Sequence, residues 1–309
     1  MLWLLLWWLW SCTEHASPPT DIARESTSYK TENVIIVVID GPRYQETWGD
    51  PEKRHIPYLS GELAATGINH TRFYNRGATY TNSGHTAITT GFYQWMANDG
   101  SELPRYPSIL QSLLASTGAP PSKAQIITGK QKLDVLADCT SSSWRGKFNP
   151  LTDTEDREDS QTLAQAFHRL KTDQPKLALI QFRGPDYFGH AGEWDNYLKS
   201  IEETDRYVYQ IWRFLQGQEY YRNKTTLLVT NDHGRHHDSI RDGFISHGDL
   251  CEGCMHINLF AAGPDFKQNY LADKPGQLVD IAPTVAELLG IELPNATGEI
   301  MWDLFELDQ

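Results

Sequence analysis

Short, largely apolar runs recur along this chain, each separated from the next by a longer helical pattern. They are Val34 to Ile39, Ala124 to Thr128, Leu177 to Phe182, Thr226 to Thr230 and Ile257 to Ala261. A strand with one wet face alternates apolar and polar residues, whereas a continuously apolar strand has to be covered on both faces. The intervening patterns predict helices over Ile56 to Thr66, Ser83 to Thr90, Ser108 to Ser116, Gln161 to Lys171 and Glu193 to Leu215, with a last one at Val279 to Leu289. Strands alternating with helices give an α/β fold, a mainly parallel central sheet with helices on both faces. Ligands of such a sheet bind at the carboxyl ends of its strands.

Residues 33–309 carry no repeat and no evident linker, and read as a single catalytic domain. The 39% hydrophobic content of the 309-residue chain supports a sizeable core. Residues 1–12 read as an export segment. Met1 to Trp10 are Met, Leu and Trp only, too short a run to span a bilayer as a helix but suited to the apolar part of a signal peptide. Cys12 follows Ser11 as in a lipoprotein signal, which points to membrane attachment through a lipidated Cys12 or to an ordinary cleaved leader. Either way the protein is expected to be exported, as a periplasmic or cell-envelope lipoprotein or a secreted protein. The polar residues 13–32 then form a tether. The net charge of −13 argues against nucleic-acid binding, which relies on Lys and Arg at phosphates.

The polar residues after the strands carry the chemistry. The first strand ends in Asp40-Gly41. Leu177 to Phe182 leads into a Gly- and Pro-bearing loop with Asp186 and His190 four residues apart. Thr226 to Thr230 leads into Asp232-His233-Gly234, where the glycine allows a sharp turn, and His247-Gly248 follows. Three carboxylates and three histidines thus gather along one sheet edge, about what two zinc ions need with a position left open. Each residue alone has a plainer reading, as a cap, a turn or a solvated side chain. Thr79 to Gly91 adds a cluster of hydroxyls at the start of a helix, where free N–H groups and the helix dipole favour a phosphoryl or sulfuryl group. Ser and Thr also stand there as simple caps.

The ordered set resembles the alkaline phosphatase superfamily, and within it the type I phosphodiesterase/nucleotide pyrophosphatase branch and its sulfatase-like relatives. Thr81, His85 and Thr90-Gly91 reproduce the spacing around that branch's nucleophile. Asp40, Asp186 with His190, Asp232-His233-Gly234 and His247-Gly248 match its ligand motifs. Asp280 to Gly290 looks like its closing helix.

The resemblance implies one zinc on Asp186, His190 and His247 and another on Asp40, Asp232 and His233, with the Thr81 oxygen bridging to substrate. Manganese or iron would also suit mixed Asp/His sites. It implies hydrolysis of a small-molecule phosphate ester, a monoester or a diester, through a phospho-threonine on Thr81. Asn82, Asn98 and Lys130 are the expected substrate-binding residues, with a solvated loop position as the alternative for Lys130. The chain lacks the Cys- or Ser-x-Pro-x-Arg segment of sulfatases, which counts against sulfate esters. Phosphoryl transfer, phosphonate cleavage and a non-catalytic phosphate-binding lipoprotein are the other readings. Cys251 and Cys254 are expected as a local disulfide or free thiols rather than as half of a zinc site, because no second Cys pair exists. His256 and these cysteines are expected to support His247, while His236 and His237 read as solvated.

Overall fold

A computed structural model describes residues 29–306, so the expected export segment and Cys12 lie outside the described residues. Nine strands form one sheet: β1 (Asn33–Ile39), β2 (Ile68–Tyr74), β3 (Ala124–Thr128), β4 (Leu151–Thr154), β5 (Leu177–Phe182), β6 (Thr225–Thr230), β7 (His256–Ala262), β8 (Tyr270–Leu271) and β9 (Gly276–Gln277). Their order is β4-β3-β5-β1-β6-β7-β2-β8, with β9 paired to β2. From β4 to β6 every pairing is parallel, whereas β7 runs antiparallel to both β6 and β2. The sheet is therefore mostly parallel, as its apolar runs require.

Alternation along β1 shows why a wholly apolar strand is needed. Val34, Ile36 and Val38 enter one core, and Ile35, Val37 and Ile39 the other. The first core is closed by α1 (Thr81–Thr90), α2 (Ile109–Thr117) and α7 (Ile281–Leu289) through Ile88, Leu113 and Val285. The second is closed by α3 (Asp159–Thr172) and α5 (Trp194–Gly217) through Leu163, Val208 and Ile211. Along α5, Tyr197, Ile201, Val208, Ile211 and Leu215 are buried, a stripe with the period of one helix face. Ser108 and Gln111 form a capping box on α2, which satisfies two otherwise orphaned N–H groups.

Three local expectations change. Ile56 to Thr66 is not an α-helix: it folds as a five-residue turn at Tyr58–Glu62 and a 3-10 turn at Ala64–Thr66, with Leu63 between them. The segment after β5 is not a loop but the helix α4 (Gly184–Ala191). Pro185 is tolerated in its first turn, where no intrahelical N–H bond is lost. β2 escapes a search for apolar runs because Asn69, Thr71 and Arg72 interrupt it, and a register shift between His70 and Phe73 breaks the alternation of its buried positions. At the other end of the chain, Lys30 and Thr31 donate their N–H groups to the Asp265 carboxylate, at 2.9 and 2.7 Å. Residues 29–32, part of the tether by sequence, are thereby held against the folded body.

Candidate active site

β5, β1 and β6 are adjacent, so their carboxyl ends deliver Asp186, Asp40 and Asp232 to one place. Gly41 follows Asp40 with a φ of 70°, a left-handed conformation that a side chain would strain. Its N–H donates to Asp232 Oδ1 at 3.3 Å, and Gln181 Nε2 donates to Asp40 Oδ2 at 2.9 Å. Asp186 and His190 lie one turn apart on α4 and so share a face. Asp159 holds that helix in place: its carboxylate accepts from Arg183 N and Gly184 N at 2.8 and 2.9 Å.

Two donor groups result. Asp40, Asp232 and His233 form the first, and all three side chains are fully buried. His233 Nδ1 donates to Gly234 O at 2.9 Å, so this partner assigns the bare lone pair to Nε2. That atom lies 3.5 Å from Asp40 Oδ1 and 3.4 Å from Asp232 Oδ2. All three atoms are buried without a hydrogen-bond partner. Three lone pairs aimed at one another in a dry site are what a cation would satisfy, and the residues fit a divalent metal.

Asp186, His190 and His247 form the second group. Asp186 Oδ1 lies 3.3 Å from Nε2 of both histidines. His247 donates from Nδ1 to Thr79 O at 2.7 Å, which again turns Nε2 inward. The His190 side chain is about half exposed, so this group faces solvent while the first does not.

Thr81 begins α1, whose N-cap residue Tyr80 makes no side-chain cap. Lys130 connects it to both groups. Its Nζ lies 3.3 Å from Thr81 Oγ1, 2.8 Å from Asp40 Oδ2 and 2.5 Å from Asp186 Oδ2. Lys130 is thus no solvated loop residue. Burial alone would lower its ammonium, but Asp186, Asp40 and Asp232 outweigh burial and hold it above its ordinary range.

The carboxylates respond in opposite directions. Burial and the neighbouring Asp232 push the Asp40 carboxyl up to about 6, against the pull of Lys130. Burial also opposes ionisation of Asp186, yet Lys130, His190, His247 and Arg235 hold it well below the carboxylate range. Burial pushes His233 down to about 3, which keeps the imidazole neutral, the form that binds metal.

The cleft outside the second group is lined by Thr81, Asn98, Lys130, Lys132, Arg183 and Tyr187, among others. Lys130, Lys132 and Arg183 outnumber the lining carboxylates Asp156 and Asp186, which leaves a positive excess for an anionic ligand. Asn98 accepts from Asn82 N at 3.0 Å through Oδ1, leaving its amide nitrogen for the cleft. Asn82 departs from expectation. Its side chain is fully buried and donates to Lys132 O at 3.2 Å, so it props the cleft wall rather than facing a ligand.

Among the surrounding partners, Arg235 carries no sequence signal. Arg235 is fully buried and donates to Asp186 Oδ1 and to the carbonyls of Phe244 and Ile245. His85 donates to Thr81 O at 2.8 Å and lies 3.3 Å from Asp232 Oδ2. His256 does not reach His247. It stacks between Tyr44 and Tyr74, with centroids 3.7 and 4.6 Å away, and contacts Thr71 O at 2.8 Å.

A family model described as Sulfatase matches residues 32–291. Curated relatives include 2,3-bisphosphoglycerate-independent phosphoglycerate mutases. That of Gracilaria tenuistipitata var. liui is 28% identical over 138 residues, 44% of this chain and 25% of the relative. That of Onchocerca volvulus is 30% identical over 118 residues, 38% of this chain and 22% of the relative. The chain thus spans about a quarter of the length of these relatives. Among solved structures, a mutant of the alkaline phosphatase PafA aligns with a TM-score of 0.68 at 12% identity, covering 89% of this chain and 99% of that one. Murine ectonucleotide pyrophosphatase/phosphodiesterase 5 aligns with a TM-score of 0.63 at 15% identity, covering 88% of this chain and all of that one. At such identities the likeness speaks for the fold. With a family model over most of its length, the chain belongs to the sulfatase family, and its fold is that of alkaline-phosphatase-like enzymes.

Proposed function

We infer that this protein hydrolyses phosphate esters with two zinc ions, through a covalent phosphoryl intermediate on Thr81. The carrying observation is the position of the Thr81 hydroxyl, 3.3 Å from an ammonium that also bridges the two donor groups. Asp40, Asp232 and His233 would hold one ion, and Asp186, His190 and His247 the other. Bound there, the ions would make the Thr81 hydroxyl more acidic and neutralise charge on the transferring group.

Thr81 Oγ1 is the nucleophile. Its bond to phosphorus forms as the ester oxygen leaves, and water then releases phosphate or a phosphate monoester. Lys130 places its charge beside the attacking oxygen. Lys132, Arg183 and the amide of Asn98 receive the rest of the anion in the cleft. Phosphate is favoured over sulfate because the chain carries Thr81 and lacks the Cys- or Ser-x-Pro-x-Arg segment.

Purified protein loaded with zinc should turn over nitrophenyl phosphate or bis-nitrophenyl phosphate faster than matched phosphonate and sulfate substrates. Acid quenching during turnover should trap phosphate on Thr81. Thr81→Ala should lose on the order of a thousandfold or more in turnover while keeping its metal. Near-native rates in Thr81→Ala would sink the mechanism, and faster sulfate release would reassign the substrate.

A further inference from the structure

A third cluster of metal-ligating side chains lies beyond the two groups above. Nitrogen of His236, oxygen of Asp249 and the sulfurs of Cys251 and Cys254 all fall within 4.8 Å of one another. The expectation of a solvated His236 gives way here, and of the two readings of Cys251 and Cys254, a local disulfide or free thiols, the structure has the second. His236 is fully buried, and the two cysteines are free thiols.

Close backbone approach builds the cluster. A Cβ on Gly234 would lie 2.1 Å from Gly253 O, and one on Gly253 would lie 2.4 Å from Arg235 O. Gly234 is therefore needed for contact between two segments, not for a left-handed turn. Gly234 N donates to Cys254 O at 2.8 Å, and His236 N donates to Ser246 O at 3.1 Å. These contacts press residues 234–236 against Ser246, Gly253 and Cys254.

The hydrogen bonds set the ligand atoms. Ser246 Oγ donates to Asp242 Oδ1, so it accepts from His236 Nδ1 at 3.0 Å. His236 Nε2 is then a bare lone pair, buried and without a hydrogen bond, and it faces Asp249 Oδ2 at 3.1 Å. A lone pair 3.1 Å from a carboxylate oxygen is repulsive unless a proton on Nε2 or a metal ion lies between them, and Arg241 reaches the same oxygen at 3.2 Å from its exposed side. An imidazole whose far nitrogen is fixed by a second partner is the usual arrangement of a metal-bound histidine.

We propose that His236, Asp249, Cys251 and Cys254 bind one zinc ion as a third, structural site, separate from the two groups at Thr81. Two thiolates, an imidazole and a carboxylate suit zinc, and four protein ligands leave no open position, as in structural sites. The ligand atoms of a tetrahedral zinc lie roughly 3.3–3.8 Å apart, so a small contraction of the cluster accommodates the ion. The site has a purpose in the fold. Asp249 O accepts from Thr79 Oγ1 at 2.7 Å, and Thr79 O accepts from His247 Nδ1 at 2.7 Å. An ion that fixes Asp249 thereby clamps the loop carrying His247 and the residues leading into Thr81. The proposal holds whether or not Thr81 is the nucleophile.

Metal analysis of the full chain, purified under reducing conditions and saturated with zinc, tests it. Wild type should hold one more zinc than the Cys251→Ser/Cys254→Ser protein. Cobalt-loaded wild type should show a thiolate-to-cobalt charge-transfer band in the near ultraviolet. That band should persist in His190→Ala, which alters only the second group. Should the double variant not fold, wild type alone decides. Metal should protect Cys251 and Cys254 from alkylation, and a chelator should remove the protection. Equal zinc counts in wild type and variant, no thiolate band, or a Cys251–Cys254 disulfide in the native protein would overturn the proposal.

Discussion

His190 and His247, 57 residues apart in the chain, bring their Nε2 atoms to within 3.0 Å. The His247 ring also stacks on His233, with centroids 3.8 Å apart and planes 16° from parallel. One imidazole therefore belongs to the second donor group and packs on a member of the first. His190 touches the second group alone, from the solvent side.

His190→Ala should weaken metal binding at the Asp186 group and leave the first group intact. His247→Ala should weaken both, because His233 loses the ring that fixes its plane. Competitive titration with a chromogenic chelator resolves the two affinities. Identical profiles for the two variants would refute the coupling.

Arg235 does not line the cleft, yet it is bonded to Asp186 and to two carbonyls of the loop before His247. Outer partners of this kind typically govern metal affinity by about 10–100-fold. Arg235→Gln should cost affinity on that order at the Asp186 group, with the metal-saturated rate falling less. An unchanged affinity would show that α4 alone orients Asp186.

Lys130 is a buried cation between two carboxylates. Removing one member of a buried ionic set costs about 3–5 kcal/mol because its partner charge is stranded. Lys130→Met should lose that much stability in chelator-treated protein and less in metal-saturated protein, where bound cations supply the missing charge. Urea unfolding under both conditions measures the difference, and equal losses would contradict this account.

Burial pushes the Asp205 carboxyl up from 3.8 to about 7, although Tyr58 N and Leu59 N donate to it. The folded protein then keeps a proton that the unfolded chain releases between about pH 4 and pH 7. The resulting penalty is absent below about pH 4 and complete above about pH 7, amounting to about 4 kcal/mol at most. Relative to Asp205→Asn, wild type should lose stability as pH rises through that window. Parallel pH profiles for the two proteins would show that Asp205 titrates normally.

The convergence of the site's side chains was readable in the sequence because parallel sheets bring strand ends together at predictable positions. Asp40, Asp186 and Asp232 each follow an apolar run, and adjacent strands carry them together. What stayed hidden depends on contacts distant in sequence. Gly184 and Pro185 disguised α4 as a loop, although Asp159 supplies the acceptor that starts the helix. His236 lies among Arg235, His237 and Asp238 and so reads as solvent-facing, since its burial arises from the Gly234–Gly253 contact. Asn82 had the right position but the wrong direction, which only the placement of Lys132 reveals.

The place of β1 in the sheet shapes how the chain must be made. Val34 pairs with Leu177 on one side and with Thr226 on the other, so the earliest strand waits for the fifth and sixth. At about 5–20 residues per second, that wait is on the order of ten seconds or more. Throughout it, seven consecutive residues that the finished protein buries completely form an unpaired, aggregation-prone edge. A segment in that condition is a natural client for a chaperone on the nascent chain, and none of the aspartates can meet before it is paired.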